Sequence, residues 1–244
     1  MNTNYRNTHI FCCTNYGYLK YTRNFIEYFK KLNVQWKLHV YCMDKKSYEF
    51  LKDTHEIIPH FIPVSYISDE ELYEWGQVQY KQICYYRYKI IYPLFKIKKL
   101  KYVIHFDTDI ALLKDPVDFM IDYMDNHKNN CEIAGQCDEK SLTCSNHLKC
   151  PNICGGCFIL RNTESTLLLT KESSYINLIE HYHSDQGYFN HKLTMKHSFP
   201  TDLFVHTPKE SLLHKDTFLY HFNWLIGDIK ESIMKEKNYW LLTN

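Results

Sequence analysis

Short apolar runs alternate with segments of helical spacing along most of this chain, and that alternation restricts the fold more than any other feature. His9 to Thr14 reads as a buried strand stopped by Asn15-Tyr16-Gly17. From Tyr18 to Leu32, the positions Tyr18, Tyr21, Phe25, Tyr28 or Phe29, and Leu32 share one helical face. Trp36 to Cys42 reads as the next strand and Lys45 to Lys52 as a short helix. Ile57 to Val64 is strand-like, and Pro59 and Pro63 make it an edge or irregular strand. Ser68 with Glu71 matches a capping box opening a helix near Asp69. Gln77 to Lys99 is helical and is interrupted by Pro93. Further strands fall at Tyr102 to Phe106, Cys131 to Cys137, Cys154 to Leu160 and Phe218 to Trp224. Helices are expected from Ser184 to Lys192, with Ser184 as its cap, and from Gly227 to Lys237. Strands interleaved with helices predict an α/β fold with a mostly parallel sheet flanked by helices. With no internal repeat and no linker, residues 1–244 are expected to form a single domain.

Composition removes several function classes. Hydrophobic residues at 45% and charged residues at 23% fit a packed core rather than disorder. Lys+Arg 29 against Asp+Glu 28 gives a net charge of +1, which argues against a dedicated nucleic-acid binder. No run reaches the roughly 18 apolar residues of a transmembrane segment, and Met1 to Thr8 lacks a signal-peptide core. The expected location is cytoplasmic. A Lys, Asn, Ile and Tyr bias, as in Lys96 to Tyr102, is what an AT-rich genome imposes, so a viral source would extend that to a host cytoplasm or a virion. Ten cysteines without a secretory signal favour free thiols or a metal site over a disulfide framework. Cys131, Cys137, Cys144, Cys150, Cys154 and Cys157, with His147 among them, leave zinc, disulfides and free thiols all open.

The sharpest local signal is Asp107-Thr108-Asp109, directly after the apolar Tyr102 to Phe106. Open α/β sheets bind ligands at the carboxyl ends of their strands. Two carboxylates at alternate positions there can meet one hard cation that keeps positions open for phosphate oxygens. A lone D-x-D is common, and one Asp can equally cap a turn while the other stays solvated.

The surrounding motifs sharpen this reading. Arg87-Tyr88-Lys89-Ile90-Ile91-Tyr92-Pro93-Leu94, then Tyr102 to Asp109, then Lys114-Asp115-Pro116 resemble the nucleotide-sugar core of GT-A glycosyltransferases. The likeness is to family 8 and the related nucleotide-diphospho-sugar transferase family. Cys154-Gly155-Gly156-Cys157 through Asn162 is similar to their N-x-G strand, with Cys154 where the family has Asn. Ser184-Asp185-Gln186-Gly187-Tyr188-Phe189-Asn190 resembles their D-Q-x-x-x-N segment. His221 with Gly227 and Lys230 resembles their C-terminal His…G-x-x-K element, at a longer spacing. Thr14-Asn15-Tyr16-Gly17-Tyr18 resembles their first nucleotide loop.

This resemblance implies a metal-dependent, retaining transfer of a sugar from a nucleotide donor, UDP-linked, to an acceptor hydroxyl. It implies Mn²⁺ or Mg²⁺ held by Asp107, Asp109 and His221. Thr14, Asn15, Tyr18, Thr108, Asp138, Gly156, Gly227 and Lys230 would contact the donor, with Lys230 neutralising the departing diphosphate. Asp185 and Gln186 would lie under the anomeric carbon, and Arg87 would tie the D-x-D carboxylates to the sugar. Gln186 is a weak nucleophile, so an electrostatic role is expected of it rather than a covalent one. The acceptor is expected to meet the loops Glu139 to Asn152 and Lys196 to Lys215; its identity is not encoded. Two other readings stand beside this one: a non-catalytic scaffold on a degenerate GT-A fold, and a phosphoryl or nucleotidyl transferase using the D-x-D alone.

Overall fold

A computed structural model of the chain describes residues 5, 7–64, 73, 77–126, 131–139, 152–171, 181–182 and 184–243. The Ser68–Glu71 capping box, most of the Glu139 to Asn152 loop, Cys144, His147 and Cys150 lie outside the described residues.

The strands are β1 (Thr8–Thr14), β2 (Leu38–Cys42), β3 (Ile57–Phe61), β4 (Tyr102–Phe106), β5 (Ile110–Leu112), β6 (Ile133–Cys137), β7 (Ile153–Arg161), β8 (Lys196–Ser198), β9 (Phe204–His206) and β10 (Leu219–His221). The helices are α1 (Leu19–Leu32), α2 (Lys45–Leu51), α3 (Val78–Lys96), α4 (Val117–Asn126), α5 (Glu164–Lys171), α6 (Asp185–Lys192) and α7 (Asp228–Glu236). The main sheet has the order β3-β2-β1-β4-β7-β6-β8, and a small sheet has the order β5-β10-β9. Pairs β1–β2, β2–β3 and β6–β8 are parallel, while β6–β7 is antiparallel. This is the expected α/β architecture, with the proline-bearing β3 at the sheet edge.

The chain divides into two compact units. The first comprises Met1–His9, Trp75–His105 and Pro116–Thr201. Its β7 is buried along nearly its whole length, so the sequence there reads as a continuous apolar run. Gly135 of β6 has to be glycine, because an added Cβ would lie 2.6 Å from Ile153 Cγ2 and 2.7 Å from the Cys157 carbonyl oxygen. Phe119, Tyr123 and Phe199 close this core with edge-to-face rings.

The second unit comprises Ile10–Glu74, Phe106–Asp115 and Asp202–Asn244. α1 buries Tyr21, Phe25, Tyr28 and Phe29 as its periodicity predicts, and ends on Asn33 in the left-handed conformation. Leu32 is only half-buried. Asp44 caps α2 by accepting from the Ser47 N–H at 2.8 Å.

Several boundaries differ from the sequence reading. Trp36 is not in β2. Its indole N–H donates to both Asp115 oxygens at 2.9 and 3.0 Å and its ring meets Phe29, a contact the local pattern does not reveal. Pro93 does not interrupt α3, since it falls in the penultimate turn and its carbonyl still accepts from Ile97 and Lys98. The expected Phe218 to Trp224 strand contracts to Leu219–His221, and Trp224 takes a positive φ of 63°. No helix among the described residues is long and apolar enough to cross a membrane.

Candidate active site

In the second unit, the turn Asp107-Thr108-Asp109 joins β4 to β5. Register then brings His221 to it from the far end of the chain. Ile110 pairs with His221 across the antiparallel β5–β10 ladder, and the Phe222 N–H donates to the Asp109 carbonyl at 3.1 Å. One donor atom from each of Asp107, Asp109 and His221 lies within 4.8 Å of the other two. Asp107 is half-buried, whereas Asp109 and His221 are buried. Thr108 is buried between the carboxylates in sequence.

Two groups compensate Asp109. His221 Nε2 lies 3.2 Å from its Oδ1, and the Lys230 ammonium bonds its Oδ2. Burial works to raise this carboxyl; the Lys230 charge and the His221 ring outweigh it and hold Asp109 well below the ordinary carboxylate range. Lys230 comes from α7, whose entry residue Gly227 has φ 58° and ψ −145°. That region of backbone space is essentially open to glycine alone. Tyr21 of α1 completes the cluster. Its ring centroid lies 5.8 Å from Lys230 Nζ, and burial with the nearby Asp109 charge pushes its hydroxyl well above the usual tyrosine range. Sequence reading put Tyr21 in the core and missed this role, because its spacing on α1 is that of any packed residue.

The first loop is also in this unit. Asn15 Oδ1 accepts from the Tyr18 N–H at 3.2 Å, and Thr14 Oγ1 accepts from Thr22 at 2.7 Å. Tyr18 donates its hydroxyl to the Tyr73 carbonyl at 2.8 Å. These side chains therefore shape the loop itself.

The first unit holds a different assembly. Arg87 of α3 is buried and forms a 2.6 Å ion pair with Asp185, the first residue of α6. It also donates to the Gly155 carbonyl and, through Nε, to the Cys84 carbonyl at 3.1 Å. The described partners of Arg87 are thus Asp185 and two backbone carbonyls. Long-range pairing of a helix arginine is not encoded in local spacing. Gln186 Oε1 accepts from the Gly155 N–H at 2.7 Å, and its Nε2 donates to Asp138 Oδ2 at 2.7 Å. The amide orientation follows from chemistry: a backbone N–H only donates and a carboxylate only accepts. Asp185 Oδ1 accepts from the Gln186 N–H at 2.8 Å, so it also serves the first turn of α6.

Asn190, one turn further along α6, exchanges two hydrogen bonds with the Ile153 backbone at 2.8 and 2.9 Å. Tyr88 donates to the Asp185 carbonyl at 3.0 Å. Gly155 is the junction that sequence reading missed, with its two peptide groups serving Gln186 and Arg87. A Cβ there would lie 3.3 Å from Gln186 Cβ. Gly156 is buried beside it in β7, and its N–H donates to Cys154 Sγ at 3.4 Å. Cys131, Cys137, Cys154 and Cys157 are buried and form no disulfide among the described residues, where the Asp107–Asp109–His221 group is the one cluster that could hold a metal.

The likeness to known proteins agrees with this arrangement. No curated protein matches the sequence. Among solved structures, the galactosyltransferase LgtC in complex with donor and acceptor sugar analogs superposes with a TM-score of 0.61 at 10% identity, covering 97% of each chain. An active-site mutant of LgtC gives 0.62 at 8% identity, covering 97% of each chain. The glycosyltransferase GlyE of Streptococcus pneumoniae TIGR4 gives 0.56 at 12% identity, covering 97% of this chain and 61% of its own. These likenesses show the GT-A fold. Residues 33–239 match the nucleotide-diphospho-sugar transferase family. With the fold, the D-x-D turn and the match over most of its length, this chain belongs to the nucleotide-diphospho-sugar transferase family.

Proposed function

We propose that this chain, acting as one catalytic domain over residues 1–244, transfers a sugar from a UDP-linked donor to an acceptor hydroxyl with retention. The observation that carries the reading is the convergence of Asp107, Asp109 and His221 within 4.8 Å on a strand-end turn. Two carboxylates and an imidazole suit Mn²⁺ or Mg²⁺. The Lys230 ammonium on Asp109 marks a position where positive charge is already accommodated. When bound, such an ion supplies Lewis-acid stabilisation of the leaving diphosphate.

The chain's own residues do the rest. Lys230 moves from Asp109 to the phosphate oxygens, and Gly227 lets the backbone approach them closely. Thr14, Asn15 and Tyr18 present the first loop to the nucleoside, and Thr108 and Gly156 offer backbone to the donor. Asp138 takes sugar hydroxyls as acceptor. Asp185 and Gln186 support positive charge developing at the anomeric carbon as the bond to the diphosphate breaks and the acceptor hydroxyl attacks from the same face. Both polar ends of the Gln186 amide are already hydrogen-bonded, which favours electrostatic support over covalent attack. LgtC has an active-site glutamine, as its Q-to-E mutant records; Gln186 is the candidate for that position here.

The test is a donor panel of UDP-glucose, UDP-galactose, UDP-GlcNAc, UDP-xylose and GDP-mannose with Mn²⁺, run on wild type and Asp109→Ala. Turnover of a UDP-sugar that disappears in the variant supports the reading. Full activity of Asp109→Ala overturns the metal-site mechanism, and no thermal shift with UDP and Mn²⁺ at millimolar concentration overturns the reading in favour of a scaffold.

A further inference from the structure

We infer that Lys209 is the anchor of a buried oxyanion-binding subsite, one that takes a phosphate or carboxylate group of a substrate. The residue lies in the turn Thr207-Pro208-Lys209 that follows β9, inside the segment from Lys196 to Lys215 expected to meet the acceptor. Its backbone is fully accounted for. The N–H donates to the His206 carbonyl at 2.6 Å, and the carbonyl accepts from Leu212 at 3.0 Å. The side chain is not accounted for. Lys209 is 1% exposed, and its Nζ is buried without a hydrogen-bond partner among the described residues.

Other lysines of the same unit behave differently. Lys20, Lys114, Lys230 and Lys237 each end on a carboxylate. The carboxylate adjacent in sequence, Glu210, is committed elsewhere: it accepts from the Tyr220 hydroxyl at 2.6 Å and from Lys237 at 3.0 Å. Isolating an ammonium from water and from every acceptor is strongly unfavourable. An anion supplied by a ligand removes that penalty, and a lysine ammonium, with three donors, suits the several lone pairs of an oxyanion.

The turn is also tied to the cation-binding strand. His206 pairs with His221 in the β9–β10 register, and the Thr207 N–H donates to the His221 carbonyl at 3.1 Å. His206 Nδ1 lies 2.7 Å from the Thr207 carbonyl, which can only accept, so that nitrogen carries the proton. The backbone of the turn is thus held by hydrogen bonds, while the Lys209 Nζ has no acceptor among the described residues. The oxyanion has two possible sources: the diphosphate of the donor, or an acidic group on the acceptor such as a uronate or sugar phosphate. The naming of these sources rests on the transferase reading; the anion site itself does not.

The experiment titrates wild type and Lys209→Met with inorganic phosphate, metal-free, and follows the melting temperature against sodium chloride of equal ionic strength. Wild type gains roughly 3–6 °C at tenfold excess over its dissociation constant. Lys209→Met begins at the same or a higher melting temperature and loses the gain. No phosphate-specific shift in wild type, or an equal shift in Lys209→Met, overturns the proposal; the first outcome needs no variant to fold. Affinity for UDP with Mn²⁺ then separates the sources. A weakening of roughly tenfold or more in Lys209→Met assigns the site to the donor diphosphate. Unchanged UDP affinity, with a glucuronate or glucose 6-phosphate shift lost in the variant, assigns it to the acceptor. Because the titration requires no turnover, a chain inactive on every donor still reports on Lys209.

Discussion

The D-x-D cluster of the second unit and the Arg87–Asp185–Gln186–Asp138 network of the first both concentrate charge, yet they are built on opposite principles. In the first unit each polar group has a dedicated protein partner. Arg87 is matched by Asp185 and the Gly155 carbonyl, and Gln186 is matched at both ends. In the second, two carboxylates and an imidazole crowd together, with the Lys230 ammonium on Asp109. A network of matched partners holds geometry; a cluster of two carboxylates and an imidazole invites a cation. Breaking the first should therefore cost mainly stability, and breaking the second mainly binding.

The largest expected effect comes from Arg87→Ala. It strands the buried Asp185 carboxylate and should lower stability by about 3–5 kcal/mol in urea unfolding. The double variant Arg87→Met with Asp185→Leu should recover most of that loss while remaining catalytically dead. If Arg87→Ala instead melts like wild type, the closed-network description is wrong.

Gln186→Glu comes next. It places a carboxylate where an amide donated to Asp138 at 2.7 Å. Two carboxylates sharing one site push a pKa up. A carboxyl raised in the folded state costs stability as pH rises through its range, so the variant should lose about 1–3 kcal/mol near pH 8 and less near pH 5. A pH-independent penalty would mean the pair is not in contact.

Lys230→Met tests the open cluster. Asp109 is held below its ordinary pKa, so its ionised form contributes stability that is present above about pH 4 and fades as pH falls through the lowered value. The melting-temperature difference between wild type and Lys230→Met should hold from pH 5 to 7 and shrink below about pH 4. Mn²⁺ should stabilise the variant more than wild type, since no ammonium competes for Asp109. An equal Mn²⁺ shift in both would separate Lys230 from the cation site.

The smallest effect contrasts thiols rather than charges. Burial is the main force pushing Cys42 of the second unit and Cys131 of the first up to about 12. Both should resist alkylation at pH 8 in the native protein, while half-buried Cys13 reacts before either of them. Peptide mapping after brief iodoacetamide treatment reads this directly. Rapid labelling of Cys131 would show that the first unit opens more readily than its closed network implies.

Much of this site was legible as residue type and order. Asp107 and Asp109 announce themselves because a strand end and a hard-cation donor pair sit within a few residues. Ser184 does cap α6, since capping is a local matter of one hydroxyl and the N–H at Gly187. Gly227 is marked by its motif, and its positive φ supplies the reason. Less legible were the partners of Arg87 and Gln186. Their ion pair and amide bridge span separations of 98 and 48 residues, which no periodicity encodes. Helix α5 escaped the pattern because it is about two turns long and its apolar stripe is weak, whereas α4 carries a clear buried stripe of Val117, Met120, Ile121 and Met124 that the reading passed over.

The sequence by itself determined the alternating α/β plan, the edge position of β3, the cap of α6 and the carboxylate pair at the end of β4. Each depends on side-chain period, backbone restriction or chemistry acting over a few residues. Tertiary structure alone decided that His221 stands beside Asp109 through the β5–β10 register, that Lys230 rests on Asp109 rather than in solvent, and that Lys209 is buried without a hydrogen-bond partner among the described residues. Those outcomes depend on which strands pair and what excludes water from them. Contacts between residues more than a hundred positions apart are set by the packing of the whole chain, where burial decides the energy of each charge.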